Sequence, residues 1–200
     1  MTDAPARPAL TEEQRRRVPP GQYVTAKWPV LHYGSVPRVD LKAWRFRVWG
    51  EVENPFELDW AEYKTMPRKK VHADVHCVTR WSRLDVEFEG VPIQHIFERA
   101  ALSPSAGYVL AHAEQGYTAN LPLDVLDDED VLLADMADGA PLTPDHGFPL
   151  RLLVPKRYFW KSAKWLRGLQ FLAADRPGFW ERYGYHNDAD PWREERFSDE

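Results

Sequence analysis

His72-Ala73-Asp74-Val75-His76-Cys77-Val78-Thr79-Arg80-Trp81-Ser82 holds the only cysteine of a 200-residue chain, and its valines favour a strand over a helix. Strand side chains alternate, so Val71, Ala73, Val75 and Cys77 share one apolar face while His72, Asp74 and His76 share the other. A thiol at the end of that face, followed by Arg80 and Arg83, can be deprotonated and serve a soft metal centre or act as a nucleophile. It can equally be inert packing, because free cysteine is among the most buried residue types. On a helix His72 and His76 would converge on one metal, whereas along a strand they stand about 13 Å apart. With no HExxH motif and one thiol, zinc is not expected.

Outward from this strand, residues 1–22 are rich in Pro, Ala and Arg and read as a flexible arm, and residues 23–200 as the folded domain. Trp44, Phe46 and Val48 alternate with Arg45, Arg47 and Trp49 as in a strand. Asp59 is placed to cap a short helix ending at Pro67. Ile93, Ile96, Phe97 and Ala100 have helical spacing, and strands are expected over 108–113, 131–134, 151–154 and 165–173. Asp127-Asp128-Glu129-Asp130 lacks the glycine and spaced ligands of a calcium loop and reads as a solvated turn. Short strands with scattered short helices, no repeat and 17 prolines predict a mixed α+β fold with many loops.

Composition narrows the function. The chain is 44% hydrophobic and 28% charged with a net charge of −5, which suits a globular protein and argues against broad binding to nucleic-acid phosphates. One cysteine excludes an internal disulfide framework, no apolar run reaches the length of a membrane span, and the first 22 residues lack a secretory apolar region. A cytoplasmic location is the expectation. No GxSxG, GxxxxGK[ST] or GxGxxG motif is present.

A second chemical cluster is Asp145-His146-Gly147-Phe148-Pro149-Leu150-Arg151 with Lys161-Ser162-Ala163-Lys164-Trp165. Arg151, Lys161, Ser162 and Lys164 offer a dense donor set for an anionic group such as phosphate; the alternative is that the two lysines are ordinary solvated charges.

Together, His76 to Ser82, Asp145 to Arg151, Lys161 to Trp165 and the tail Pro177-Gly178-Phe179-Trp180-Glu181-Arg182-Tyr183-Gly184-Tyr185 resemble the molybdopterin-binding domain of the sulfite oxidase family, including its bacterial sulfoxide-reductase members. The resemblance runs from about Trp28 to Trp192. It implies the sulfite oxidase-type fold, with molybdenum and molybdopterin as cofactors and Cys77 as the protein ligand to the metal. It further implies that His146 and Arg151 hold the pterin, that Ser162, Ala163 and Lys164 grip its phosphate end, and that His32 and Tyr33 belong to a loop closing over it. The segment Gly116 to Leu121 also looks like a family segment, and His112 just before it is expected near the cofactor. Tyr185 matches a tyrosine beside the metal, able to donate a hydrogen bond or relay a proton. Where animal and plant sulfite oxidases carry an anion-binding arginine this chain has Leu31, which leaves Arg80 as a replacement charge or as a surface ion pair with Asp85, Glu87 or Glu89.

The expected protein is thus a molybdopterin oxidoreductase transferring oxygen atoms on a small substrate, with a separate electron-transfer partner. A non-enzymatic interaction module anchored by its nine tryptophans is the alternative, and a cysteine hydrolase a weaker third reading.

Overall fold

Two mixed β-sheets make the body of the computed structural model, which describes residues 10–199. The first contains β1 (Tyr23–Val24), β4 (Lys69–His76), β5 (Trp81–Pro92), β8 (Leu132–Ala137), β9 (Ala140–Pro141) and β10 (Arg151–Leu153). The second has β3 (Phe56–Asp59), β2 (Arg45–Gly50), β11 (Leu166–Leu172), β6 (Tyr108–Ala113) and β7 (Thr118–Pro122), in that spatial order. Pairing is antiparallel except for β1 on β5 and β11 on β2. Among the described residues the helices are short: α1 (Glu12–Arg16), α2 (Trp60–Thr65), α3 (Ile93–Ala100) and α4 (Leu123–Leu126). The fold is the expected α+β, and no helix among the described residues is long and apolar enough to cross a membrane.

Local sequence explains the elements. Asp59 caps α2 as expected, accepting from the Glu62 N–H while the Glu62 carboxylate accepts from the Asp59 N–H, so two orphan donors are satisfied reciprocally. β4 buries Val71, Ala73 and Val75, and Cys77 continues that face. Its register slips between Ala73 and Val75, and His76 is buried rather than exposed with His72. The Nδ1 of His76 lies 2.8 Å from Ser82 Oγ, and burial pushes its pKa down to about 4, so it is a neutral structural group. β5, the longest strand, escaped the sequence reading. Its acidic side chains Asp85, Glu87 and Glu89 suggest a solvated segment, yet they lie on one face while Val86, Phe88 and Val91 are buried.

The larger core fills the space between the second sheet, α2 and α3, around Trp44, Phe46 and Leu169. A smaller cluster lies under the β4–β5 hairpin and includes Val75, Cys77, Trp81, Phe88 and Leu153, with Trp28 and Phe159 packed against it. Of the expected flexible arm, residues 1–9 fall outside the described residues. The rest differs from expectation: α1 has its own capping box, and Arg17 bridges Asp74 of β4 and Asp85 of β5. Two acceptors within reach of one guanidinium fasten this segment to the hairpin.

Candidate active site

The β4–β5 hairpin turns through Cys77-Val78-Thr79-Arg80, closed by Cys77 N–H to the Trp81 carbonyl at 2.9 Å and Arg80 N–H to the Cys77 carbonyl at 3.0 Å. Arg80 takes a left-handed φ of 74° to complete the turn. Cys77 therefore stands at a hairpin tip, 8% exposed, on the wall of a cavity of about 240 Å³. Its Sγ lies 3.1 Å from Thr79 Oγ1, and among the described residues no imidazole is hydrogen-bonded to it. The thiol–imidazole pair of a hydrolase is not assembled. Burial pushes the Cys77 thiol up, opposed by Thr79 and by the charge of Arg196. The arginines expected to act on it point elsewhere. Arg80 is exposed, 4.0 Å from Glu194 rather than from an acid of β5, and Arg83 pairs with Asp138.

The opposite wall is cationic. His146 closes a single helical turn, Pro144–His146, and Gly147 follows at φ 111°, where an added Cβ would lie 3.2 Å from the Cβ atoms of both Arg151 and Lys164. Only glycine lets this loop approach so closely. Arg151, 1% exposed, donates to the carbonyls of His146 (3.0 Å) and Ser162 (2.9 Å), and its guanidinium lies 4.0 Å from the Phe159 ring centroid. Its buried Nε has no partner and no carboxylate pairs with it among the described residues. Burial pushes its pKa down to about 9, which leaves it charged at neutral pH. Lys164 Nζ donates to the carbonyls of Leu31 and Asp145, tying the amino-terminal loop to this wall.

Burial first, and the Arg151 charge second, push Lys164 down to about 7. An unfolded lysine titrates at about 10.4, so between there and pH 7 the unfolded chain binds the extra proton. Stability therefore falls as pH drops through that window and levels off below about pH 7. Lys164→Met is expected to remove this part of the slope, read as the difference between urea midpoints of the two chains.

Nine of the sequence-predicted residues line this cavity: Cys77, His32, Tyr33, His146, Arg151, Ser162, Ala163, Lys164 and Tyr185. Three other expected residues do not line it. His112 lies on the opposite face of β6 from the buried Ala111 and Ala113, against Gln170 and Trp49. Arg80 is turned out by the hairpin geometry. Lys161 is fully buried away from the cavity, bonded to Asn120 and Glu181, so it is neither a cradle donor nor a solvated charge. The Ser162 hydroxyl is also engaged, accepting from the Val154 N–H.

Sequence reasoning missed the aromatic framing. Trp28 lies 4.2 Å from the His146 ring, Trp160 5.0 Å from Tyr185, and the Tyr117 hydroxyl donates to the Trp160 carbonyl at 2.7 Å. A high tryptophan content was the available signal, but it does not say which rings face a cavity. Gln22 was missed as well: its amide donates to the Cys77 carbonyl at 3.0 Å, so the segment before β1 holds the hairpin tip. Tyr185 is half-buried, and its phenol is raised above the ordinary value by burial and by the nearby Cys77. Chemically the cavity joins one thiol to a cationic wall, and no Asp or Glu lines it among the described residues. Such a donor set suits a soft metal on one side and an anionic group on the other.

Comparison with known proteins agrees. Residues 33–180 match the oxidoreductase molybdopterin binding domain. The chain is 52% identical over 187 residues to the uncharacterized oxidoreductase YuiH of Bacillus subtilis (strain 168), covering 93% of this chain and 94% of that one. It is 28% identical over 170 residues to the protein-methionine-sulfoxide reductase catalytic subunit MsrP of Burkholderia mallei (strain ATCC 23344), covering 74% of this chain and about half, 51%, of that protein. The sulfane dehydrogenase SoxCD of Paracoccus pantotrophus shares the fold with a TM-score of 0.69 at 22% identity, over 78% of this chain and 44% of that one.

Proposed function

The chain belongs to the oxidoreductase molybdopterin binding domain family and is an oxidoreductase; from that premise we propose that it holds molybdenum and molybdopterin in the cavity beside Cys77 and transfers an oxygen atom to or from a small sulfur- or nitrogen-oxo substrate. The observation that carries the reading is the meeting, in one cavity that no Asp or Glu lines among the described residues, of the sole thiol and an Arg151 guanidinium with no carboxylate partner among them. When bound, the cofactor supplies the two-electron couple.

The protein's own residues do the rest. Cys77 would ligate the metal through Sγ as the thiolate, the soft donor such a centre takes. Arg151 and His146 hold the pterin from the cavity wall. Lys164 and the backbone of Ser162 and Ala163 grip the phosphate end, while His32 and Tyr33 cover the cavity from the amino-terminal loop. The Tyr185 phenol keeps its proton at neutral pH and donates a hydrogen bond to the substrate oxygen. Electrons are exchanged with a separate carrier. Family membership favours this reading over a non-enzymatic interaction module.

Arg80 does not face the cavity and Leu31, 49% exposed, carries no charge, so the substrate is uncharged in preference to an oxyanion such as sulfite. Arg80→Ala is accordingly expected to leave kcat/KM within about twofold, as for an exposed ion pair. A larger loss in steady-state assays would return Arg80 to the substrate site. The proposal as a whole is tested by molybdenum and pterin content of chain purified from a host that makes molybdopterin. About one metal per chain is the expected result, and absence of both metal and pterin would overturn it.

A further inference from the structure

Behind the cavity lies a buried charge pair to which the proposed mechanism assigns no task. Lys161 is 0% exposed and the Glu181 side chain 2%. The ammonium donates to Glu181 Oε1 at 2.7 Å and to both the carbonyl and the Oδ1 of Asn120 at 2.9 Å. Glu181 Oε1 also accepts from the Trp160 indole N–H at 2.8 Å. Its Oε2 is buried without a partner among the described residues, on the side where a Cβ at Gly178 would lie 2.5 Å away. Asn120 in turn donates to Asp175 and Asn187. One ion pair thus joins three segments that meet nowhere in sequence: the loop carrying Trp160 and Ser162, strand β7, and the tail carrying Trp180 and Tyr185.

We propose that Lys161 and Glu181 are positioning residues that fix the Trp160 indole, and through its edge-to-face contact the Tyr185 phenol, over the Cys77 side of the cavity. Trp160 is held at both ends, its indole by Glu181 and its carbonyl by Tyr117. Its ring stands at 89° to Tyr185, which also stacks on Trp180 at 4.9 Å. Three aromatic rings, Trp160, Trp180 and Phe197, thus border the phenol ring. Burying an ion pair is an expensive way to gain stability alone, since well-packed apolar residues often do as well. What the pair adds is direction: a carboxylate with one oxygen shared by two donors sets the indole in a single orientation. The functional meaning of that orientation rests on the reading of Tyr185 given above, whereas the geometric coupling stands apart from it.

The experiment follows Tyr185 itself. The full-length chain is labelled with 3-fluorotyrosine, the Tyr185 fluorine resonance is assigned with Tyr185→Phe, and wild type is compared with Glu181→Gln, Trp160→Phe and the double variant. Each single variant is expected to move or broaden the Tyr185 line, and the double variant to do no more than either, because both act through one contact. Asp135→Asn, which breaks a separate buried cluster with Tyr63, Lys64 and Arg68, is expected to lower the melting temperature without moving the Tyr185 line. In cofactor-loaded enzyme Glu181→Gln is expected to lower kcat about tenfold or more with KM nearly unchanged, as for misplacement of a proton donor. Should Glu181→Gln not fold, Lys161→Met/Glu181→Met removes both charges and carries the same measurement. A Tyr185 line unmoved in any folded pair variant, or additive shifts in the double variant, would overturn the proposal. The resonance is readable whether or not molybdenum is present, so failure here is distinct from failure of the cofactor reading.

Discussion

Cys77→Ser is expected to lower turnover by well over a hundredfold while leaving the chain folded. Loss of even an outer partner of a metal ligand costs about 10- to 100-fold in affinity or activity, and here the proposed ligand itself is removed. A serine hydroxyl is a hard, weakly acidic donor that does not replace a thiolate on a soft centre. The fold tolerates the change because the side chains are nearly isosteric and Thr79 Oγ1, 3.1 Å from Sγ, remains as a partner for the new hydroxyl. Stability is therefore expected to change by about 1 kcal/mol, the net worth of one hydrogen bond. The residues proposed to hold the pterin, Arg151, His146 and Lys164, are untouched, so released pterin should be detected while turnover is lost. Full activity in this variant, with unchanged molybdenum content, would remove Cys77 from the metal.

Arg151→Met is expected to separate binding from folding in the opposite sense. The substitution leaves the carbonyls of His146 and Ser162 without their donor, each a cost of about 1–3 kcal/mol where buried. It also removes a buried charge that no carboxylate among the described residues offsets, which relieves a desolvation cost of several kcal/mol. The two oppose one another, and the net change in unfolding free energy is expected to stay within about 2 kcal/mol. Methionine also fills much of the same volume against Phe159 and Trp28. Cofactor retention has no such compensation and is expected to fall at least tenfold, since the guanidinium proposed to hold the pterin is lost. Molybdenum and pterin per chain, measured beside urea unfolding, read both effects. A variant that unfolds yet retains cofactor when refolded would reverse the assignment and make Arg151 a structural residue.

The two substitutions together explain why the strongest local patterns were the legible ones. The alternation Val71, Ala73, Val75, Cys77 defined a strand and turned the thiol inward, because a period of two leaves no other choice once one face is apolar. Asp59 announced α2, and the spacing of Ile93, Ile96 and Ala100 announced α3, because caps and helical stripes are properties of neighbouring residues. The ordered motifs around Cys77, His146, Arg151 and Lys164 were sufficient to name the family and the fold that comparison then showed.

What the sequence could not determine is which way charged and polar side chains turn once distant segments meet. Arg80, three residues from Cys77, is directed outward by a left-handed backbone in the hairpin turn, while Arg196, 119 positions away, donates to the Val78 carbonyl and acts on the thiol from behind. Lys161 and Lys164 sit in one short motif, yet one is sealed against Glu181 and the other faces the cavity. β5 carries acids that look solvated until Lys70 of β4, Arg68 just before it and Arg17 of the amino-terminal segment supply partners. Local sequence determines element type because helix and strand preferences act between near neighbours. Charge placement depends on desolvation and long-range pairing, and those forces exist only after the two sheets have closed.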